Sequence, residues 1–268
     1  VLVIENKESE ITNAEIHKEI DALESALNSL KEADEYFVQR DNFEVPYSFM
    51  EITQILIEQI SKWKKKKKKI TGDSEIETAA HDYIYLVQNG IDRFLSSVET
   101  TYKETAEKID REFSEVYATP GIDKEYSPTN NILPKLPAMT IPEINAKLLD
   151  LITYEESKND FFGFFKKPND TSEPVMVATC YLEQWRSTVQ NIIKPVLDKH
   201  INQCIQNLSE YYDFMAESYH QHLSQLINEK TKDKEIVSTQ LSDEERKLQE
   251  DNDWLSQFRE KLQTIERD

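Results

Sequence analysis

Glu217 and His220 are the residues best suited to metal-dependent chemistry, because they stand at the i, i+3 spacing used by di-iron carboxylate helical bundles. Such a centre needs a second Glu-x-x-His pair and two further glutamates on inward helix faces, and this sequence has one copy. It also lacks a nucleophile elbow, an HExxH zinc motif and both glycine-rich phosphate-binding motifs. We therefore expect no catalytic residue, no metal, no cofactor and no enzyme activity in this segment.

Lysines form the strongest charge feature. Lys62 and Lys64 to Lys69 place a local charge of +7 in a chain whose net charge is -19. One interpretation is a helix C-terminus that is favoured by the helix dipole and runs into a solvated loop. The other is contact with anionic phosphates, where each lysine near a charged membrane contributes about 1 kcal/mol. Nucleic acid is not an expected partner, because base-stacking aromatics and a broad basic face are missing.

A second feature is the segment Phe161-Phe162-Gly163-Phe164-Phe165-Lys166-Lys167, an aromatic-Lys loop with a flexible centre. Its four phenylalanines would either plug the end of a helical bundle or form an exposed apolar patch that implies a partner or a membrane interface. Taken together, the two features predict a set of membrane-binding or partner-binding residues: Trp63, Lys64, Lys65, Lys66, Lys67, Lys68, Lys69, Phe161, Phe162, Phe164, Phe165, Lys166 and Lys167.

The elements that position these residues are predicted to be helices. Only 4 glycines and 31% charged residues argue against tight-turned β architectures. Apolar residues at alternating steps of three and four predict a first helix from about Ile16 to Phe37. A second helix starts at Pro46 and ends in the lysines. A third, of about 45 residues and ~65 Å, starts at Asp73 or Ser74, which favours an all-α, elongated, stalk-like bundle.

The rest of the chain divides at a proline-rich linker. Residues 118–142 hold five of the nine prolines, so we expect an extended path there. A short helix is predicted from Glu143 to Ser157, then the aromatic-Lys loop at 159–173, then a second very long helix over 174–229. A capping box at Ser242 and Glu245 predicts a final helix. The expected organisation is N-terminal helices over 1–117, the linker over 118–142, and C-terminal helices of the same bundle over 143–268.

The two cysteines are expected to be small core residues. Cys180 and Cys204 are predicted to lie in one helix, where 24 residues at ~1.5 Å separate them far beyond the reach of a disulfide.

The C-terminal pattern Trp254-Leu255-x-x-Phe258-x-x-x-Leu262-x-x-Ile265, with the long helices and the aromatic-Lys loop, resembles the helical neck and trunk that follow the GTPase domain in bacterial dynamin-family proteins. The resemblance implies a trunk tip that contacts lipid and a C-terminal helix that returns to the neck. The phosphate-binding loop, switch residues and guanine-specifying motif are not present. The sequence begins Val1-Leu2 without Met, which allows a GTPase domain to precede it in a longer protein.

We therefore expect a non-catalytic helical stalk that contacts an anionic membrane surface and self-associates. The alternative is a helical protein-interaction scaffold that binds a helical partner and never meets lipid. No apolar run reaches the ~18 residues of a membrane span, so we expect a cytoplasmic protein that meets a membrane, if at all, at its periphery. A shared membrane-facing tip also requires the loops near 65–72 and 160–172 to lie at the same end of the molecule.

Overall fold

A computed structural model describes residues 2–118, 126–129, 133–156 and 175–265. The side chains of residues 2–11 and 262–265 are not described. In chain order the described elements are α1 (Leu2–Gln39), α2 (Ser48–Lys62), β1 (Lys69–Thr71), α3 (Asp73–Tyr117), α4 (Asn145–Leu149), β2 (Thr153–Glu156), β3 (Met176–Tyr181) and α5 (Leu182–Ile265). The predicted mainly helical fold with two very long helices, here α3 and α5, is confirmed.

The chain forms two compact units. Unit 1 contains Val1–Asn42, Ile109–Ile132 and Tyr212–Asp268, and unit 2 contains Phe43–Lys108 and Leu133–Tyr211. Each unit takes chain from both sides of the proline-rich linker, so the units differ from the sequence segments 1–117 and 143–268. The described parts of the linker, 126–129 and 133–142, carry neither helix nor strand.

In unit 2, α2 and α3 approach closely at a glycine. Apolar residues recur at helical spacing on both helices, and Leu56 and Ile60 of α2 are buried, as are Val87 and Ile91 of α3. A Cβ atom added to Gly90 would overlap the Cδ1 atom of Leu56. Gly90 is therefore a packing glycine that brings the two helices together.

A three-stranded antiparallel sheet in unit 2 accompanies the helices, and the prediction from sequence did not include it. Its strand order is β1-β3-β2, with Ile70 opposite Cys180 and Thr153 opposite Thr179. Within the predicted helix over 143–157, the described residues form the short α4 followed by β2. Within the predicted long helix over 174–229, Met176–Tyr181 form β3, and α5 begins only at Leu182. Val177 and Thr179 are β-branched residues that suit a strand, and pairing on both sides of β3 supplies its hydrogen bonds.

The turn from β1 into α3 depends on a second glycine. Gly72 has a φ of +92°, which side-chain-bearing residues rarely adopt. Its N–H donates to the Ala178 carbonyl at 2.8 Å, and its own carbonyl accepts from Ile76 at 3.0 Å. Gly72 therefore joins the sheet to the first turn of α3.

Unit 1 is built around aromatic side chains of α1, α3 and α5. The rings of Phe37 and Tyr219 stack with centroids 5.3 Å apart, and Phe113 meets Phe37 edge-on at 5.5 Å. Beside them, Nδ1 of His220 lies 2.7 Å from Oδ1 of Asp34. Asp34 is the acidic residue on the apolar face of α1. Because His220 of α5 contacts its carboxylate, that carboxylate is not left unpaired.

One continuous helix, α5, replaces the two predicted helices. It runs from Leu182 to Ile265, through Pro195 and through Ser242, which was predicted to be an N-cap. Within unit 1, Lys234 of α5 lies 2.6 Å from Glu24 of α1. None of the helices among the described residues has the length and apolar character needed to cross a membrane.

Both cysteines are buried free thiols, as the core assignment predicts. Cys180 lies in β3, however, and not in the same helix as Cys204. Burial raises the pKa of both thiols, that of Cys204 to about 11, so each is a poor nucleophile at neutral pH.

Candidate functional site

The candidate site is the lysine loop of unit 2, which we define as Lys64 to Lys69. Helix α2 ends at Lys62, and Lys64 then adopts a φ of +42°, which turns the chain away from the helix axis. The Lys65 N–H donates to the Lys62 carbonyl at 3.3 Å, and the Lys67 N–H donates to the Lys64 carbonyl at 2.9 Å. The loop is therefore a pair of tight turns.

Both ends of the lysine loop are fixed to the core of unit 2. At its end the loop enters β1, and the Lys68 carbonyl accepts from the Leu182 N–H at 3.1 Å. At its start, the Trp63 carbonyl accepts from Nη1 of Arg186 at 3.2 Å. The loop is thus held on a rigid scaffold, as positions that bind a ligand generally are.

Trp63, which was predicted to bind a membrane or a partner, is buried. Its side chain is 8% exposed and stacks on Tyr83 with ring centroids 4.1 Å apart, while Trp185 lies parallel at 6.4 Å. The indole ring is part of the core, so it is not available to insert into a lipid surface. Its role here is to anchor the loop, and the Lys64 ammonium lies 5.0 Å from the ring centroid.

The six lysines of the loop are all exposed, but they fall into two groups. Lys64 lies 3.5 Å from Asp82, Lys67 lies 3.5 Å from Glu75, and Lys69 lies 3.4 Å from Glu155. These carboxylates offset part of the positive charge. Exposed pairs of this kind stabilise the fold by about 1 kcal/mol or less each.

The second group is Lys65, Lys66 and Lys68. Within the described ranges, no carboxylate lies within 4 Å of any of these three ammonium groups. Their positive charge is therefore free to meet an external anion, and it is concentrated within four consecutive positions of the lysine loop. The sequence could predict the +7 charge, but not which lysines face carboxylates, because Asp82, Glu75 and Glu155 belong to other elements.

Glu155 connects the lysine loop to the sheet. Its Oε1 accepts from the Tyr181 hydroxyl at 2.6 Å, and its Oε2 lies 3.4 Å from Nζ of Lys69. This hydrogen bond to a carboxylate raises the pKa of Tyr181 above its ordinary value. Tyr181 is therefore a neutral donor that holds Glu155 next to the loop.

A groove between α2 and α3, which was not predicted from the sequence, begins next to the lysine loop. Its volume is about 770 Å³, and its apolar lining includes Ile55, Trp63, Tyr85 and Leu86. Ile55 and Tyr85 are 60% and 61% exposed. In the sequence, the groove is indicated only by apolar residues of α2 and α3 that do not belong to the buried faces of these helices. Two exposed apolar residues are in themselves common, and only the structure shows that they border one groove.

The aromatic-Lys loop lies outside the described residues. This applies to Phe161, Phe162, Phe164, Phe165, Lys166 and Lys167, whose predicted role stays a prediction. The strands on either side of it are described, and Glu156 at the end of β2 pairs with Met176 at the start of β3. The expected shared end for this loop and the lysine loop also stays a prediction.

The two histidines of the Glu217–His222 segment, His220 and His222, take structural positions. His220, half of the Glu-x-x-His motif, contacts Asp34, and Nδ1 of His222 lies 2.7 Å from the hydroxyl of Tyr117. Over the part of the chain that the structure describes, no group of three or more His, Cys, Asp or Glu side chains is placed to hold a metal ion.

Comparison of the chain with protein-family models, with curated proteins and with solved structures finds no match in any of the three.

Proposed function

We propose that the chain is a non-catalytic helical stalk that contacts anionic membrane surfaces through the lysine loop and assembles with further copies of itself. The observation that carries the membrane part is the group Lys65, Lys66 and Lys68, whose ammonium groups face no carboxylate among the described residues. At about 1 kcal/mol per lysine near an anionic surface, the three contribute about 3 kcal/mol. That corresponds to a preference of roughly 100-fold for anionic over neutral membranes.

The net charge of the chain sets the character of this binding. A charge of -19 repels an anionic surface overall, so attraction is confined to the lysine loop and acts only within the Debye length, about 8–10 Å at physiological salt. Binding should therefore be weak, orientation-specific and sensitive to salt.

Vesicle flotation tests the proposal. The protein should float with vesicles of phosphatidylcholine and phosphatidylserine but not with phosphatidylcholine alone, and raising salt to about 1 M should abolish flotation. A variant with Lys65→Gln, Lys66→Gln and Lys68→Gln should lose the preference for anionic vesicles.

The matched control removes the same amount of charge elsewhere. Lys18, Lys31 and Lys232 are exposed lysines on α1 and α5. Replacing all three by Gln gives the same net charge as the loop variant. If the two variants float equally well, the lysine loop is not the contact surface.

The aromatic-Lys loop extends the proposal beyond the described residues. A variant with Phe161→Ala, Phe162→Ala and Lys166→Glu should float less well than the wild type if these side chains also contact the membrane. Flotation equal to that of the wild type would limit the contact to the lysine loop.

The finer proposal is that this region works as the stalk of a dynamin-like GTPase, with a GTPase domain in the same polypeptide. Its support is the resemblance carried by the long helices and by the Trp254 to Ile265 pattern. Sequencing the coding region upstream of Val1 tests it. An upstream region without a phosphate-binding loop would contradict it.

The second candidate is a helical interaction scaffold without lipid binding. The groove between α2 and α3 favours it, because exposed apolar side chains that border one concave surface mark a partner site. Absence of flotation at any salt concentration, with protein association preserved, would support the scaffold over the membrane-binding stalk.

A further inference from the structure

An exposed aromatic pair lies on the C-terminal part of α5. Trp254 and Phe258 stack with ring centroids 5.2 Å apart, and the two side chains are 49% and 46% exposed. Residues four apart lie on the same face of a helix, so the rings form one apolar surface, which we call the aromatic patch. Large exposed aromatic side chains are characteristic of the centres of protein interfaces.

The turn of α5 before the aromatic patch is acidic. Glu250 and Asp251 lie four and three residues before Trp254, on the same helix face, and both are exposed. Within the described part of the chain, neither of these carboxylates has a cationic side chain within 4 Å. The patch therefore combines an apolar centre with uncompensated negative charge on its N-terminal side.

The α2–α3 groove of unit 2 has the complementary apolar shape. Its volume of about 770 Å³ lies within the range of about 300–1,000 Å³ that is usual for binding pockets. It adjoins a second depression of about 410 Å³, and the two share Ile55, Gln59, Gly90 and Arg93 in their lining. Space for two aromatic rings is therefore present along the groove.

The uncompensated charge at the groove is positive. Its acidic residues already have partners, since Glu58 lies 2.6 Å from Lys62 and Asp82 lies 3.5 Å from Lys64. Arg93 lines both depressions and is exposed, and in the described ranges no carboxylate lies within 4 Å of its guanidinium. The groove therefore offers a free cation to an incoming carboxylate.

We infer that the aromatic patch of one copy docks in the α2–α3 groove of a second copy, with Asp251 facing Arg93. The two surfaces differ, so the contact is heterologous, and repetition of it builds a chain or a ring of copies. This inference deepens the self-assembly part of the proposed function. A patch centred on two aromatic side chains of about 150–250 Å² each makes a small interface, which predicts weak, concentration-dependent association.

Sedimentation velocity without lipid tests the inference. The wild type should shift to larger species as its concentration rises. A patch variant, Trp254→Ser with Phe258→Ser, and a groove variant, Tyr85→Ser with Arg93→Glu, should each stay monomeric. These four side chains are exposed, so the circular dichroism of both variants should match the wild type. Phe214→Ser is the matched control, since Phe214 is an exposed aromatic residue, 52% accessible, elsewhere on α5.

Mixing the two variants identifies the kind of contact. Each variant keeps one intact surface, so the mixture should form a 1:1 heterodimer and nothing larger. Charge reversal gives a second test: Arg93→Glu alone should weaken association, and adding Asp251→Arg to the same chain should restore it. Association of the patch variant equal to that of the wild type, or a mixture that stays monomeric, would overturn the inference.

Membrane binding by the lysine loop and docking of the aromatic patch can be disproved independently of each other. The patch variant keeps the lysine loop, so it should still float with anionic vesicles even where it no longer self-associates. The triple Gln variant of Lys65, Lys66 and Lys68 keeps the groove and the patch, and it should self-associate in the absence of lipid.

Discussion

Leu56 of α2 fills the space that a Cβ atom on Gly90 of α3 would occupy. Helix propensity alone predicts that Gly90→Ala stabilises α3 by about 1 kcal/mol. Insertion of a methyl group into a packed contact costs about 1–3 kcal/mol. Leu56 is 2% exposed, so it has little freedom to move away, and the packing cost should exceed the gain in propensity.

We therefore expect Gly90→Ala to lower the free energy of unfolding by about 1 kcal/mol, measured by urea denaturation. Lys108→Ala, at an exposed position of the same helix, is the control and should change stability by less than about 0.5 kcal/mol. An increase in the stability of Gly90→Ala would show that the two helices can separate without cost.

Asp34 and His220 should be coupled energetically. Their atoms lie 2.7 Å apart, and their side chains are only 19% and 34% exposed. A double-mutant cycle with Asp34→Ala and His220→Ala should give a coupling energy of about 1 kcal/mol. The control cycle uses His17 and Glu245, which lie 3.9 Å apart and are both more than half exposed, and its coupling should be near zero. Equal coupling in the two cycles would contradict the prediction.

His200 should make the fold less stable at acidic pH. Its ring is 2% exposed and lies beside Phe94 and Cys204, and burial lowers its pKa below the ordinary value of 6.5. The unfolded chain therefore takes up a proton at this position more readily than the folded chain. The contribution of His200 to the free energy of unfolding is fully present above the pKa that the residue has in the unfolded chain. It is lost as the pH falls from there through the lower pKa of the folded chain.

The measurement is urea denaturation of the wild type and of His200→Leu between neutral pH and about pH 5. The wild type should lose more stability than the variant over this interval, and exposed His81→Gln should behave like the wild type. Parallel pH profiles for the wild type and His200→Leu would show that His200 is hydrated in the folded state.

Trp63 and Lys65 lie two residues apart and should respond oppositely to substitution. Trp63→Ala removes a buried ring that stacks on Tyr83, and it should cost about 3–5 kcal/mol of stability. Lys65→Ala removes an exposed side chain and should change stability by less than about 0.5 kcal/mol while weakening flotation. Thermal unfolding of both variants, read beside flotation, separates the anchor of the loop from its contact surface. A stable Trp63→Ala variant would place the indole outside the core.

Helical periodicity predicted the second and third helices closely, whereas the first was expected from about Ile16 and α1 begins at Leu2. The third was expected to be about 45 residues long from Asp73 or Ser74, and α3 runs from Asp73 to Tyr117. Pro46 was expected to start the second helix, and α2 begins two residues later at Ser48. Such segments are predictable because their buried faces repeat along the sequence.

The sheet could not be predicted in the same way. Its three strands have only 3, 4 and 6 residues, and each is stabilised by pairing with segments distant in the sequence.

The predicted division of α5 into two helices was wrong. A capping box at Ser242 has no effect on the backbone when no glycine or proline interrupts the helix before it, and residues 230–241 contain neither.

Only one property of the candidate site could be predicted, the positive charge of lysines that are consecutive in the sequence. The sequence shows six consecutive lysines, but their carboxylate partners come from α3 and β2. The burial of Trp63 likewise depends on Tyr83 and on Trp185, which lies more than one hundred residues away. The groove requires the close approach of α2 and α3, which only the packing at Gly90 reveals.

The direct join between β3 and α5 constrains how this chain can change its length. Tyr181 ends the strand and Leu182 begins the helix, so no loop lies between them to absorb an added residue. One residue inserted there would turn every later side chain of α5 by about 100° and advance it by about 1.5 Å. Trp185 would then leave the stack that it forms with Trp63 and Tyr83. The rotational phase of the 84-residue helix is therefore set by the hydrogen-bond register of a six-residue strand.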